Sequence, residues 1–111
     1  MSFDELLAER VHTVLNELGV TDLDEKKMFG GVGHLLRGNM ACGVHKEYLI
    51  VRVGPARYED ALAHPGTKVF DMTGRAMKGW VMVAPEAIME DTALKGWVEQ
   101  GVEFALTLPP K

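Results

Sequence analysis

The sequence predicts an α+β fold: a two-layer sandwich in which an antiparallel sheet of about five strands carries its helices on one face. Three observations lead to this class. Amphipathic runs with helical spacing lie near both ends of the chain, and short apolar runs punctuated by glycine lie between them. Consecutive short runs are joined by tight turns, which make antiparallel pairing the simplest topology. The expected element order is α-β-β-β-α-β-β-α.

The first helix is predicted over residues 3–18. Its apolar side chains recur every three or four residues and form one stripe, which consists of Phe3, Leu6, Leu7, Val11, Val14, Leu15 and Leu18. Ser2 and Glu5 have the spacing of a capping box, and Gly19 follows the last turn as the expected left-handed stop. A helix this amphipathic needs a sheet or a partner chain to cover its stripe.

Residues 27–53 form the part of the chain around which the predicted sheet is built. Residues 20–26 are interpreted as a polar connection, and residues 27–29 as a short strand that breaks at Gly30. Gly30, Gly31 and Gly33 predict a bulge or the close approach of another backbone.

A hairpin is predicted next, with strands at 32–37 and 40–44 and a two-residue turn at Gly38-Asn39. This turn places Leu35 opposite Cys42. It also places His34 on the other face of the sheet, away from Cys42.

The remaining elements are a strand at 48–53, a short helix at 57–63, strands at 68–72 and 79–83, and a closing helix at 92–106. Both faces of the first of these strands are apolar, with Ile50 on one and Leu49 and Val51 on the other. Helices on one side of the sheet cover only one of these faces. Loops or a second copy of the chain must therefore cover the other, and we expect a homodimer.

Composition narrows the class of protein. A length of 111 residues predicts one domain over residues 1–111, and the single cysteine excludes an intramolecular disulfide and fits a reducing compartment. The N-terminus has no signal-peptide pattern, and no apolar run approaches membrane-spanning length, so we expect a cytoplasmic protein without a membrane partner. A net charge of -4 argues against broad binding to phosphate backbones.

Candidate chemistry is sparse. The GGVG run at residues 30–33 lacks the Lys-Ser/Thr and the helix start of a P-loop, and a strand follows it. Cys42 and His45 fall on opposite faces of a strand, so a buried, inert thiol is the favoured interpretation of Cys42. His12 and His64 have no partner suggested by the sequence. No catalytic, cofactor-binding or metal-binding residue is predicted.

The basic residues offer one alternative. They gather at a single edge if the strand ending at residue 53 and the loop after residue 72 lie together; the residues concerned are Arg52, Arg57, Arg75 and Lys78. With Tyr58 or Trp80 beside them, such an edge suits an anionic partner such as nucleic acid. Scattered, solvated charges are the favoured interpretation.

One family resemblance is carried by specific residues. The motif consists of Met28, Phe29, Gly30 and Gly31, followed by a hairpin with Gly38 in its turn. The strand YLIVRV at 48–53, the strand WVMV at 80–83 and Trp97 in the last helix complete it. Together these pieces, which span residues 5–106, resemble the N-terminal domain of the TfoX/Sxy competence regulators.

The resemblance implies a two-layer α+β domain like that of type III secretion chaperones. Full-length members regulate natural-competence genes alongside a transcription activator, and in them this domain is joined to a C-terminal domain. We therefore expect a stand-alone bacterial-type regulatory module that binds a protein partner and is not an enzyme. A nucleic-acid-associated transcriptional regulator is the alternative. No catalytic residues are established for the family, so none is carried over.

Overall fold

The computed structural model describes residues 3–28, 30–71 and 74–111. Within these residues, three α-helices and six strands follow one another along the chain. Their bounds are Glu5–Glu17 (α1), Leu23–Met28 (β1), Gly31–Leu36 (β2), Asn39–His45 (β3), Tyr48–Arg52 (β4), Tyr58–Leu62 (α2), Thr67–Val69 (β5), Trp80–Val83 (β6) and Asp91–Leu106 (α3). Single 3₁₀ turns at Pro55–Arg57 and Pro85–Ala87 come shortly before α2 and α3.

The strands form one sheet in the order β1-β2-β3-β4-β6-β5, and all neighbouring strands are antiparallel. The predicted α+β class with an antiparallel sheet is therefore confirmed, with six strands in the described residues where the sequence predicts about five. The extra strand pairing comes from β1. Its residues Leu23 to Met28 pair with all six residues of β2, from Leu36 to Gly31.

β1 is a polar edge strand in the segment interpreted as a connection. Leu23 is half-buried, whereas Asp24, Glu25, Lys26 and Lys27 are exposed. Charged side chains are common in edge strands, and here they occupy both faces of the strand, so no apolar alternation marks it in the sequence. The interpretation of residues 23–26 as a connection is wrong for this reason, and the charges of the strand discourage pairing with another chain.

α1 begins two residues later than predicted. The N-cap is Asp4, whose Oδ1 accepts a hydrogen bond of 3.1 Å from the Leu7 backbone N–H. Phe3 precedes the helix and bridges to Lys46. The predicted cap, Ser2, lies outside the described residues. Beyond the last turn, Gly19 has φ +72°, so the predicted left-handed stop is confirmed.

The β2–β3 hairpin turns one residue earlier than predicted. Its turn residues are Arg37 and Gly38, both with positive φ, which is the geometry of a type I′ turn. Asn39 already belongs to β3 and pairs with Leu36. The predicted turn at Gly38-Asn39 is therefore wrong.

A bulge then changes the register of this hairpin. Leu35 pairs with Met40 and His34 with Cys42, so Ala41 is the extra residue on β3. The predicted pairing of Leu35 with Cys42 is wrong, and so is the prediction that the sheet separates His34 from Cys42. Opposite residues in an antiparallel pair share a face, so these two side chains lie side by side.

The main core lies between the sheet and the helices α1 and α3. Fully buried members include Leu15 of α1, Leu49 of β4 and Leu94 of α3. α3 approaches the sheet closely at Gly101, where a Cβ would collide with the backbone carbonyl of Ala41. The predicted strand at 68–72 is shorter in the structure, ending at Val69, and Met72 lies outside the described residues.

Candidate functional site

The sheet face that the helices leave open is the main candidate site, and we call it the second face. It consists of Met40 of β3, Tyr48, Ile50 and Arg52 of β4, Lys68 of β5, and Trp80 and Met82 of β6. The predicted division of β4 is confirmed, because Leu49 and Val51 belong to the main core and Ile50 to a separate cluster.

A loop covers part of the second face. Its described residues are 70–71 and 74–79, and the Met77 N–H donates a 3.0 Å hydrogen bond to the Phe70 carbonyl. The Phe70 ring lies 6.0 Å from the Trp80 ring. Together with Met82, Phe70 buries Ile50 to 2% exposure.

The apolar layer on this side is nevertheless thin. Phe70 and Met82 keep 9% and 8% exposure, and around them lie side chains that stay half-buried: Met40, Tyr48, Met77 and Trp80. Aromatic and methionine side chains at the surface are the residue types that protein interfaces favour. The second face is therefore an apolar platform that its own chain covers incompletely.

Two cations sit on the aromatic rings of the second face. Lys68 Nζ lies 4.4 Å from the centroid of the Tyr48 ring and 3.3 Å from its hydroxyl. At the other end of β4, the Arg52 guanidinium carbon lies 5.1 Å from the Trp80 ring and 5.3 Å from the Phe104 ring. Each contact holds a positive charge against an aromatic ring.

The four residues of the predicted basic edge come from two segments that meet. The Gly54 N–H donates a 3.0 Å hydrogen bond to the Gly79 carbonyl, which places the end of β4 beside the end of the loop. Arg75 and Lys78 are exposed on that loop. Arg52 is held between rings, and Arg57 forms a 2.9 Å ion pair with Glu103 of α3.

The motif glycines meet separate structural needs. Gly30 has φ +75° between β1 and β2, and a Cβ on Gly31 would collide with the Val44 carbonyl. Gly38 has φ +85° in the hairpin turn, where a Cβ would lie 2.8 Å from Cβ of Lys111. Of the two other motif residues, Met28 ends β1 opposite Gly31, and Phe29 lies outside the described residues.

A polar cluster that the sequence does not predict lies under α1. Oε2 of Glu25 is 3.2 Å from His12 Nδ1 and 3.4 Å from His34 Nδ1. His34 is fully buried, and neither of its ring nitrogens has a hydrogen-bond partner among the described residues. Burial is the main cause that lowers the pKa of His34. The negative charge of Glu25 opposes this effect and raises the pKa, whereas His12 lowers it further.

The thiol of Cys42 is fully buried, and burial raises its pKa to about 12. A thiol at such a pKa is not a nucleophile at neutral pH, because the thiolate is the reactive form.

Across residues 3–28, 30–71 and 74–111, no three His, Cys, Asp or Glu side chains come together as metal ligands. In the same part of the chain, no helix has the length and apolar character needed to cross a membrane.

Sequence reasoning missed Lys68 as a surface residue of the site. The signal was present, since Lys68 and Phe70 are two residues apart and so share a face of β5 and its extension, opposite to Val69. The partners of His12 and His64 were also missed. His12 meets Glu25, and the His64 ring stacks edge-on against Trp97 at 5.4 Å.

Fold and site together define a small α+β domain with one helix-covered sheet face and one partly covered apolar face. Residues 15–105 match the TfoX N-terminal domain, and the chain belongs to this family. The family resemblance is thereby confirmed. No curated protein and no solved structure gave a significant match. The TfoX N-terminal domain is not a known enzyme family.

Proposed function

We propose that this chain is a non-enzymatic regulatory module that binds a partner protein through the second face. The observation that carries the proposal is the half-buried apolar surface formed by Tyr48, Trp80, Met40 and Met77 on the antiparallel sheet. Surfaces with several aromatic side chains around a buried centre are typical of binding sites for proteins. A regulatory role follows the family, whose resemblance implies control of gene expression by contacts with other proteins.

Capture from a lysate of the native cell tests this proposal. The decisive comparison uses Lys68→Glu on the second face and Lys95→Glu on α3, because both lysines are exposed and both changes reverse one charge. We expect the wild type and Lys95→Glu to retain the same protein, and Lys68→Glu to lose it. Equal retention by all three chains contradicts the proposed surface. Equal melting temperatures establish that the variants are folded.

A readout in cells tests the regulatory part. Deletion of the gene should change the levels of a defined set of transcripts, and the wild-type chain should restore them. Lys95→Glu should restore them equally, whereas Lys68→Glu should not. Transcript levels that do not respond to the deletion contradict a regulatory role.

A second candidate function, binding to nucleic acid, has one observation in its favour. The hydrogen bond between Gly54 and Gly79 brings the segments that carry Arg52, Arg75 and Lys78 to the same edge. Retention on DNA that falls with added salt, and that is lost when Arg52 and Arg75 become glutamate, supports this function. The absence of DNA binding at low salt removes it.

The homodimer remains a prediction. The second face is a surface on which two copies could meet, but a two-fold pairing there brings the Arg52 and Lys68 side chains of one copy towards those of the other. A dimer of this kind is expected to strengthen with added salt. Light scattering after size-exclusion chromatography at two salt concentrations measures it, and a monomer at high protein concentration contradicts it.

A further inference from the structure

The helices of this chain and its strands β2 to β6 differ in the charges that they carry. The three α-helices carry eight acidic side chains and two basic ones. Strands β2 to β6, all of whose residues the structure describes, carry only two charged side chains, Arg52 and Lys68. Both are positive and both belong to the second face, although the Arg52 guanidinium lies at its edge, close to Trp80 and also to Phe104 of α3. The net charge of -4 conceals this difference, because the acidic helices dominate the total.

The two cations stand at opposite ends of an apolar strip. Tyr48 and Arg52 are the first and last residues of β4, which places them about 13 Å apart at the usual rise of a strand. Lys68 marks the Tyr48 end and the Arg52 guanidinium marks the other. Ile50 and Met82 pair with each other between them.

We infer that the partner segment recognised by the second face is acidic, with carboxylates near both of its ends and apolar side chains between them. This inference rests on the proposed function and names the chemistry of its partner. Carboxylates would meet Lys68 and Arg52, and the apolar side chains would cover the strip around Tyr48, Trp80 and Met40. Electrostatic complementarity of this kind determines which partner is accepted.

The same geometry disfavours nucleic acid on this face. Bases bind sheet surfaces by stacking on open aromatic rings, and here Lys68 lies over the Tyr48 ring and Arg52 over the Trp80 ring.

A second copy of the chain is a poorer occupant for a related reason. Eight of the sixteen acidic side chains lie on the helices, on the far side of the sheet. Contact between the second face of one copy and the helices of the next repeats without closing, so it produces chains of molecules rather than a dimer.

Peptide binding tests the inference directly. The probe is a short synthetic amphipathic peptide with glutamates near both ends and leucines between them, and its matched counterparts carry glutamine or lysine at the glutamate positions. We expect the glutamate peptide to bind about tenfold more tightly than the glutamine peptide, as for interactions with a charged group. The lysine peptide should bind more weakly than either. Amide signals of β4, β5 and β6 should shift in NMR spectra on binding.

Variants locate the effect. Lys68→Glu should abolish the preference for glutamate over glutamine, and Lys95→Glu should leave it unchanged. Equal affinity for the glutamate and glutamine peptides overturns the inference, as do signal shifts confined to α1 and α3. Displacement of the glutamate peptide by oligothymidylate, or concentration-dependent association of the chain that excludes the peptide, overturns it in favour of nucleic acid or a second copy.

The two proposals fail in distinguishable ways. If Lys68→Glu loses the cellular partner but the wild type shows no preference for the acidic peptide, the proposed function stands and the inference about its partner is wrong. If neither the cellular partner nor any peptide responds to Lys68→Glu, both are wrong.

Discussion

His34 of β2 lies directly opposite Cys42 of β3, and both side chains are fully buried on the helix-covered face of the sheet. The pair brings two titratable groups into an apolar core. Burial lowers the pKa of the imidazole and raises that of the thiol, so both groups are held in their neutral forms. The pair therefore links the stability of the fold to pH at both ends of the range, and gives the chain no nucleophile.

The first prediction is that the fold loses stability in acid because His34 is buried. Because the pKa of His34 is lowered in the folded chain, the unfolded chain binds more protons below the ordinary value of 6.5. The contribution of His34 to stability is therefore full above that pH and is lost as the pH falls below it, by at most about 1.4 kcal/mol per pH unit. Urea unfolding between about pH 5 and pH 8 measures the loss.

Two variants separate His34 from the other titrating groups. His34→Leu removes the imidazole at similar volume, so its free energy of unfolding should fall less in acid than that of the wild type; we call this fall the acid limb. His64→Gln, at an exposed position, should keep the acid limb of the wild type. An acid limb of equal slope in His34→Leu and the wild type contradicts the assignment. Glu25→Gln removes the attraction that favours protonated His34, so its acid loss should continue to lower pH than in the wild type.

The second prediction is that the buried thiol of Cys42 stays protonated and unreactive while the chain is folded. With its pKa raised to about 12, Cys42 stays protonated in the folded chain, and its contribution to stability is lost as the pH rises above the ordinary value of 9.0. At mildly alkaline pH a thiol reagent should label the native chain only as fast as it unfolds, and should label it at once in urea. In a Cys42→Ala background, Leu6→Cys on the exposed face of α1 should react immediately. Equally fast labelling of Cys42 in the native chain contradicts the buried state.

The sequence predicts the elements whose apolar residues recur with a spacing that fits only one type of secondary structure. α1 and α3 have apolar stripes at helical spacing, and β4 alternates between two apolar sets, so their faces follow from the residues alone. β1 has no such pattern, because four of its six residues are charged, as is common at the edge of a sheet.

In the β2–β3 hairpin, the local turn signals in the sequence predict the wrong register. Gly38-Asn39 has typical turn residues, yet Arg37 adopts positive φ and the turn moves by one position. The bulge at Ala41 then restores the apolar alternation of β3 and brings His34 beside Cys42. A one-residue change of this kind moves side chains between faces, so the polar cluster of His34, Glu25 and His12 is beyond sequence reasoning.

The second face is predictable in outline only. Ile50 and Tyr48 follow from alternation in β4, and the need for loops or a partner to cover them follows from the two-layer fold. The positions of Lys68 and Arg52 against aromatic rings depend on which strands are neighbours, and β6 lies between β4 and β5 in the sheet although it follows both in the chain.

The third prediction tests the N-cap of α1. Asp4→Ala removes the acceptor of the Leu7 N–H and should lower the free energy of unfolding by about 1 kcal/mol. Asp4→Asn keeps a side-chain oxygen at the same place and should lose much less. Urea unfolding followed by circular dichroism compares the three chains. Similar losses in both variants indicate that the charge of Asp4, rather than its hydrogen bond, stabilises the helix.

The fourth prediction compares how the same substitution, glycine to alanine, changes stability at a crowded position and at an open one. A Cβ on Gly31 would collide with the Val44 carbonyl, which β3 holds in the sheet, so Gly31→Ala should destabilise the fold by about 2 kcal/mol or more. Gly96 lies on the exposed side of α3 with nothing near its Cβ position, so Gly96→Ala should stabilise the fold by about 0.5–1 kcal/mol. Urea unfolding at neutral pH measures both. A neutral Gly31→Ala variant means that β2 and β3 separate easily at this point, and that Gly31 is not needed for the close approach of the two strands.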